Sequence, residues 1–187
     1  MTAGRAALGI LVATLAVAGL AAPAGVAADE PRRAPLIAPA SACPDQTDPG
    51  APPAAQVKAM RCLTNFARRG RGLPPLAASA PLNGAASHKS ADILRCDEFS
   101  HEACGREFTY WVERSGYRGG CLAENIAWGS GPLGSVRSIF SNWMRSPGHR
   151  ENILGPYAEI GIGLRVGRLD GYGGAHVWTQ SFGGECG

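Results

Sequence analysis

Trp143-Met144-Arg145-Ser146-Pro147-Gly148-His149-Arg150-Glu151-Asn152-Ile153-Leu154 marks the place where a helix ends and candidate chemistry begins. Pro132 opens that helix, and Val136, Ile139, Phe140, Trp143 and Met144 fall on one apolar stripe, the spacing of a core-facing surface. Ser146-Pro147-Gly148 stops it, and residues 150–154 can make a short turn. His149 is left at the break. Two motifs upstream carry matching chemistry: Phe99-Ser100-His101, and Ala123-Glu124-Asn125-Ile126-Ala127-Trp128-Gly129. Imidazole and carboxylate are the groups that bind a divalent cation or move protons near neutral pH.

The N-terminus reads as a processing segment. Arg5 precedes an uncharged apolar run, Leu8 to Leu20, and Val26-Ala27-Ala28 offers a small-residue cleavage pattern. Residues 1–28 therefore read as a secretory signal peptide, with an apolar run short for a membrane span. No later apolar stretch is long enough to be a transmembrane segment. Residues 29–53 are rich in Pro and Ala, with little to bury against their ordering entropy, and read as an extended arm pinned at Cys43. Residues 54–187 have the size of one compact domain.

The whole chain carries 18 Lys and Arg against 15 Asp and Glu. Such a balance leaves no electrostatic footprint for nucleic acid. Arg68, Arg69 and Arg71 cluster, but at a helix end, where cations suit the dipole, so they read as solvated. All six cysteines follow the signal segment, which points to a disulfide framework on an exported chain. Fifteen pairings are possible on paper; proximity in the chain suggests Cys43–Cys62 and Cys96–Cys104 around His101, which leaves Cys121 and Cys186 as the third pair. No CxxC pair is present to suggest a cysteine-based metal site.

A first helix is expected from about Ala54 to Arg69, ended by Gly70, Gly72 and Pro74-Pro75. Ser79 can cap a second, Ala80 to about Leu94, and a shorter one fits Arg106 to Arg114. Leu122 to Ala127 reads as a strand. Ile160, Ile162, Leu164 and Val166 alternate, Asp170-Gly171 turns, and Val177 to Phe182 returns antiparallel. Helices first and a hairpin late give an α+β layered domain.

Six segments together resemble the CAP superfamily (cysteine-rich secretory proteins, antigen 5 and pathogenesis-related proteins), in its bacterial secreted form. They are Leu63-Thr64-Asn65 with Arg68 and Gly72-Leu73-Pro74-Pro75-Leu76, Phe99-Ser100-His101, Glu124-Asn125-Ile126-Ala127, Ser146 through Leu154, Ile160-Gly161-Ile162-Gly163, and Trp178-Thr179-Gln180-Ser181-Phe182. The resemblance implies an α-β-α sandwich with a small antiparallel sheet between helical layers. It also implies a cleft at His101, Glu124 and His149. The family's fourth cleft position, an acid in many eukaryotic relatives, falls on Ser146.

Two imidazoles and one carboxylate suit a divalent cation, zinc first among them, with one position left for water. Glu124 can instead orient an imidazole from behind the metal. A metal-free alternative has Glu124 stabilising the charged imidazoles. No G-x-S-x-G elbow surrounds Ser100 or Ser146. Bland roles are expected elsewhere: exposure for His88 and His176, core or cleft walls for Trp128, Trp143 and Trp178, and satisfaction of backbone groups for Asn125 and Asn152. The leading functional expectation is a secreted ligand- or cation-binding module, with a lipid, sterol, or extracellular or envelope protein as partner. A metal-dependent extracellular hydrolase and an envelope-associated structural protein are the alternatives. No wall-anchoring or carbohydrate-binding repeat accompanies the last.

Overall fold

The computed structural model describes residues 35–185. The segment expected as a signal peptide, the start of the expected arm and Cys186 lie outside the described residues. Among the described residues the α-helices are α1 (Pro53–Arg69), α2 (Ala80–Cys96), α3 (Tyr110–Arg114), α4 (Val136–Arg145) and α5 (Pro147–Leu154). Four strands are β1 (Ala77–Ala78), β2 (Cys121–Ser130), β3 (Glu159–Leu169) and β4 (Tyr172–Gly184). The sheet order is β1-β3-β4-β2. The strands β2, β3 and β4 pair antiparallel, and the two-residue β1 joins β3 in parallel, so the small sheet is mixed.

The period-two alternation of β3 builds the three layers. Ile160, Ile162 and Leu164 point to one face, where they join Met60 and Leu63 of α1, Ile139, Phe140 and Trp143 of α4, and Ile153 of α5 in the main core. Gly161 and Gly163 point to the other face, where α2 lies directly on the strand. A Cβ at Gly161 would sit 2.0 Å from the Leu82 carbonyl carbon, and one at Gly163 would sit 2.2 Å from the Ala86 oxygen. A second core forms on this side from Ile93, Ala103, Ile126, Leu169, Ala175 and Val177. The result is helices, sheet, helix: the expected α+β sandwich.

Several expectations need correction. The helix begun by Pro132 starts only at Val136, because Gly131–Gly134 form a 3₁₀ turn and the Ser135 hydroxyl accepts from the Ser138 N–H at 3.4 Å. The expected short turn after His149 is a full helix, α5, that starts at Pro147 and includes His149. Pro at the first helical position suits this restart, since its missing N–H has no intrahelical partner there. The helix expected from Arg106 shrinks to α3, because Arg106 is extended and its side chain is drawn back to Asp92 at 2.7 Å. Ser79 stands at the N-cap of α2, but its side chain makes no capping bond.

The Arg cluster is not uniformly solvated. Arg68 is 1% exposed. Its guanidinium donates to the carbonyls of Pro74 (2.9 Å), Ile153 (3.0 Å), Gly155 (2.8 Å) and Tyr157 (3.2 Å). A planar fork with five donors can serve carbonyls in several directions. Arg68 thus ties the exit of α1 to the end of α5 and the entry to β3. The segment expected as an extended arm is turned and packed from Ala38 onward. Ala38 and Cys43 join the main core, where small side chains fit against the helices. Arg137 of α4 donates to the Ala38 carbonyl at 3.0 Å and to Gln46 Oε1 at 2.6 Å.

Cys43–Cys62 and Cys96–Cys104 form as expected. Cys121 is disulfide-bonded, but its expected partner lies outside the described residues. No helix among the described residues is long and apolar enough to cross a membrane.

Two stability measurements check this packing. Gly163→Ala is expected to lower unfolding free energy in urea by at least the ~1–3 kcal/mol typical of overpacking, because backbone must move. Arg68→Lys is expected to cost about 1.5–3 kcal/mol, since one ammonium cannot replace a charged fork over four carbonyls.

Candidate functional site

Glu124 sits in the middle of β2, opposite Ser181 of β4, and shares the strand face of Ile126, which looks toward α2. His101 lies on the loop between α2 and the 3₁₀ turn Ala103–Gly105, closed by the Cys96–Cys104 bridge. The two side chains meet: His101 Nδ1 is 2.8 Å from Glu124 Oε1. Their exposures differ sharply, 51% for the histidine side chain and 4% for the carboxylate. A buried carboxylate therefore holds a half-open imidazole by Nδ1, a contact that does not engage Nε2.

Burial pushes the Glu124 carboxyl up, and the hydrogen bond from His101 and the positive charges of Lys89 and His101 oppose that rise without cancelling it. Desolvation raises a carboxyl by disfavouring its charged form.

His149 occupies the first turn of α5, partly buried. Its ring lies 6.5 Å from that of Trp143, centroid to centroid. Burial lowers its pKa, and the neighbouring positive charge of His101 lowers it further. The charge on His101 is thus felt at His149.

Asn125 and Asn152 lock α5 to β2. Asn125 Nδ2 donates to the His149 carbonyl at 3.1 Å and to Gln180 Oε1 at 3.2 Å. Asn152 Nδ2 donates to Asn125 Oδ1 at 2.9 Å and to the Glu124 carbonyl at 3.3 Å. The chain of bonds continues through Gln180 Nε2 to Thr64 Oγ1 at 3.0 Å, and from that hydroxyl to the Met60 carbonyl at 2.9 Å. Asn125, Gln180 and Thr64 are fully buried. Each member has a partner, as a buried polar network requires. Gln180 and Thr64 were not singled out from sequence. Polar residues at positions that periodicity assigns to the core are the signal that finds them.

Ser146, at the fourth cleft position, is the N-cap residue of α5. Its N–H donates to the Asn142 and Trp143 carbonyls and its own carbonyl accepts from Arg150. No hydrogen bond among the described residues joins it to either imidazole. His88 stacks on Trp111, with ring centroids 4.4 Å apart, at the exposed side of α2. His176 contacts the Pro49 carbonyl through Nε2 at 2.9 Å. Trp143 and Trp178 are core residues whose N–H groups donate to the Ile126 and Gly134 carbonyls, both at 3.1 Å.

Sequence reasoning missed two charged residues on the buried face of α2. Leu82, Ala85, Ala86, Lys89, Ser90, Asp92 and Ile93 are all buried, so Lys89 and Asp92 interrupt an apolar stripe. Asp92 accepts from Arg95, Arg106 and Trp111, each at 2.7 Å. Burial opposes its ionisation, but those three bonds win and hold the carboxyl below its usual range.

Among the described residues, no three His, Cys, Asp or Glu side chains gather closely enough to hold a metal ion together. His101, Glu124 and His149 are therefore not a three-ligand set. What the donors do offer is two imidazoles, one with a carboxylate behind it, an arrangement that recurs where a carboxylate orients a metal-binding histidine.

A model of the cysteine-rich secretory protein family, CAP, matches residues 62–182. The chain belongs to the CAP family. It is similar to the uncharacterized protein YkwD of Bacillus subtilis (strain 168), 32% identical over 152 residues that make up 79% of this chain and 55% of YkwD. It thus spans little more than half the length of that relative. Two solved structures share the fold. One is an extracellular protein containing an SCP domain from Bacillus anthracis str. Ames, with a TM-score of 0.59, 23% identity, and coverage of 72% of this chain and 44% of that one. The other is an outer surface protein from Borrelia burgdorferi, with a TM-score of 0.59, 16% identity, and coverage of 70% of this chain and 93% of that one.

The charge environment of this CAP cleft sets a pH dependence. His149 titrates below its ordinary value of 6.5 when folded. As pH falls through 6.5, the unfolded chain takes up a proton that the folded one refuses, so stability falls. Thermal melts of the oxidised protein from pH 7 to 5 should lose less in His149→Gln than in wild type. Equal losses would remove His149 from the effect.

Proposed function

We propose that the protein is an exported CAP-domain binding module that takes a divalent cation such as zinc between the imidazoles of His101 and His149. The observation that carries this reading is the 2.8 Å contact from His101 Nδ1 to the buried Glu124 carboxylate. It fixes the tautomer with hydrogen on Nδ1 and leaves a basic Nε2 facing the open side. The lowered pKa of His149 keeps a second imidazole neutral near pH 7, the form that binds metal. Glu124 serves from behind, where an uncompensated carboxylate would otherwise be costly. When bound, the cation would supply open coordination positions for an oxygen donor on an extracellular ligand or partner.

Export is supported by the signal-like residues 1–28, by the disulfides Cys43–Cys62 and Cys96–Cys104, and by the description of one structural neighbour as extracellular. Disulfides persist in oxidising compartments.

Calorimetric titration of the oxidised protein with zinc tests the cleft. Saturable one-to-one binding is expected, lost in the His101→Ala/His149→Ala double variant and weakened about tenfold or more in Glu124→Gln. Absence of saturable binding by the wild type, or binding unaffected by the double variant, would overturn the cation reading.

A further inference from the structure

Lys89 is 1% exposed on the sheet-facing side of α2. Among the described residues no carboxylate lies within ion-pair distance of it. Its Nζ donates instead to two backbone carbonyls, those of His101 and Arg106, the latter at 3.3 Å. Burying an ammonium is costly, whereas alanine or isoleucine fills the neighbouring positions Ala85, Ala86 and Ile93 of the same face without that cost. An expensive residue at this point must return something the apolar ones cannot.

What it returns lies in the loop it holds. Residues 97–106 contain one 3₁₀ turn and place one side chain, Ala103, in an apolar core. Packing alone cannot fix such a segment. It is held by polar ties to α2, Lys89 on the carbonyls of His101 and Arg106 and Asp92 on the Arg106 guanidinium, and by the covalent Cys96–Cys104 bridge. Of these, only Lys89 acts on His101 itself. The buried Glu124 carboxylate also feels the Lys89 charge, so each partly offsets the cost of burying the other.

We propose that Lys89 is a positioning residue of the cleft, one that draws the His101 carbonyl onto α2 so that Nδ1 meets the Glu124 carboxylate and Nε2 faces outward. This deepens the cation reading above and rests on it for the purpose of the site. The geometric claim about His101 stands apart from what the cleft binds.

The test is proton NMR of the oxidised protein at low temperature. A His101 Nδ1–H bonded to a carboxylate should give a low-field resonance, assigned by its absence in His101→Ala. The resonance is expected in wild type and lost in Lys89→Met, with zinc affinity reduced about tenfold or more and a cooperative melt retained. A Lys89→Met protein that keeps both the resonance and wild-type zinc affinity overturns the proposal. Should that variant fail to fold, the wild type decides. A slowly exchanging Lys89 ammonium signal correlated with the His101 carbonyl supports the proposal, and exchange as fast as that of surface lysines overturns it. If the wild type binds no zinc, the cation reading fails, while the comparison of Nδ1–H resonances still decides the role of Lys89.

Discussion

The fold depends on the direct contact between α2 and the backbone of β3. At Gly161 and Gly163 there is no room for even a methyl group, so the helix sits closer to the sheet than side chains would otherwise allow. Close approach fixes the helix along the strand as well as above it. It sets the height of every side chain on the lower face of α2, Lys89 and Asp92 included. Those two residues hold the His101 loop, and that loop meets Glu124 on β2 from the same side of the sheet. A cleft assembled from a loop, a strand and a helix start is thus referred back to one tight contact between regular elements. Sites are held better by rigid elements than by loops alone.

The opposite layer solves a different problem. α4 and α5 meet at a sharp break, and α5 must present His149 to the cleft while its own carbonyls are covered. Arg68 covers part of its C-terminal end, and Asn125 takes the His149 carbonyl. These buried polar groups are costly alone and tolerable only as a fully bonded set. They convert a general apolar core into one with a defined register between α1, α5 and β2.

The layered α+β architecture and three candidate site residues were legible in the sequence, because periodicity and short motifs are local signals. Val136, Ile139, Phe140, Trp143 and Met144 mark α4, and Ile160, Ile162 and Leu164 mark one face of β3. The family frame brought His101, Glu124 and His149 forward. Spacing could not show that His101 and Glu124 touch while His149 contributes from a separate helix. Arg68 departs from the expectation because a cation at a helix end is usually solvated, whereas its four carbonyl partners include three from segments distant in sequence. Lys89 was overlooked for a related reason. Its partners are backbone oxygens of a loop, which leave no trace in residue type. The Pro/Ala segment packs from Ala38 onward because small side chains can fill gaps between helices without large apolar surface, a possibility that composition does not reveal.

Strand β2 lies at the edge of the sheet, where one row of backbone groups has no neighbouring strand. Carbonyls alternate along a strand, so those of Glu124 and Ile126 point to the same side. The first accepts from Asn152 of α5 and the second from Trp143 of α4. The other margin, β1, is two residues long. An incoming strand from a second molecule would therefore have to displace an asparagine and a buried tryptophan at one border, and would find almost no ladder at the other. Protection of this kind suppresses intermolecular sheet growth. Asn152 and Trp143 thus also keep the β2 border from pairing with a second molecule.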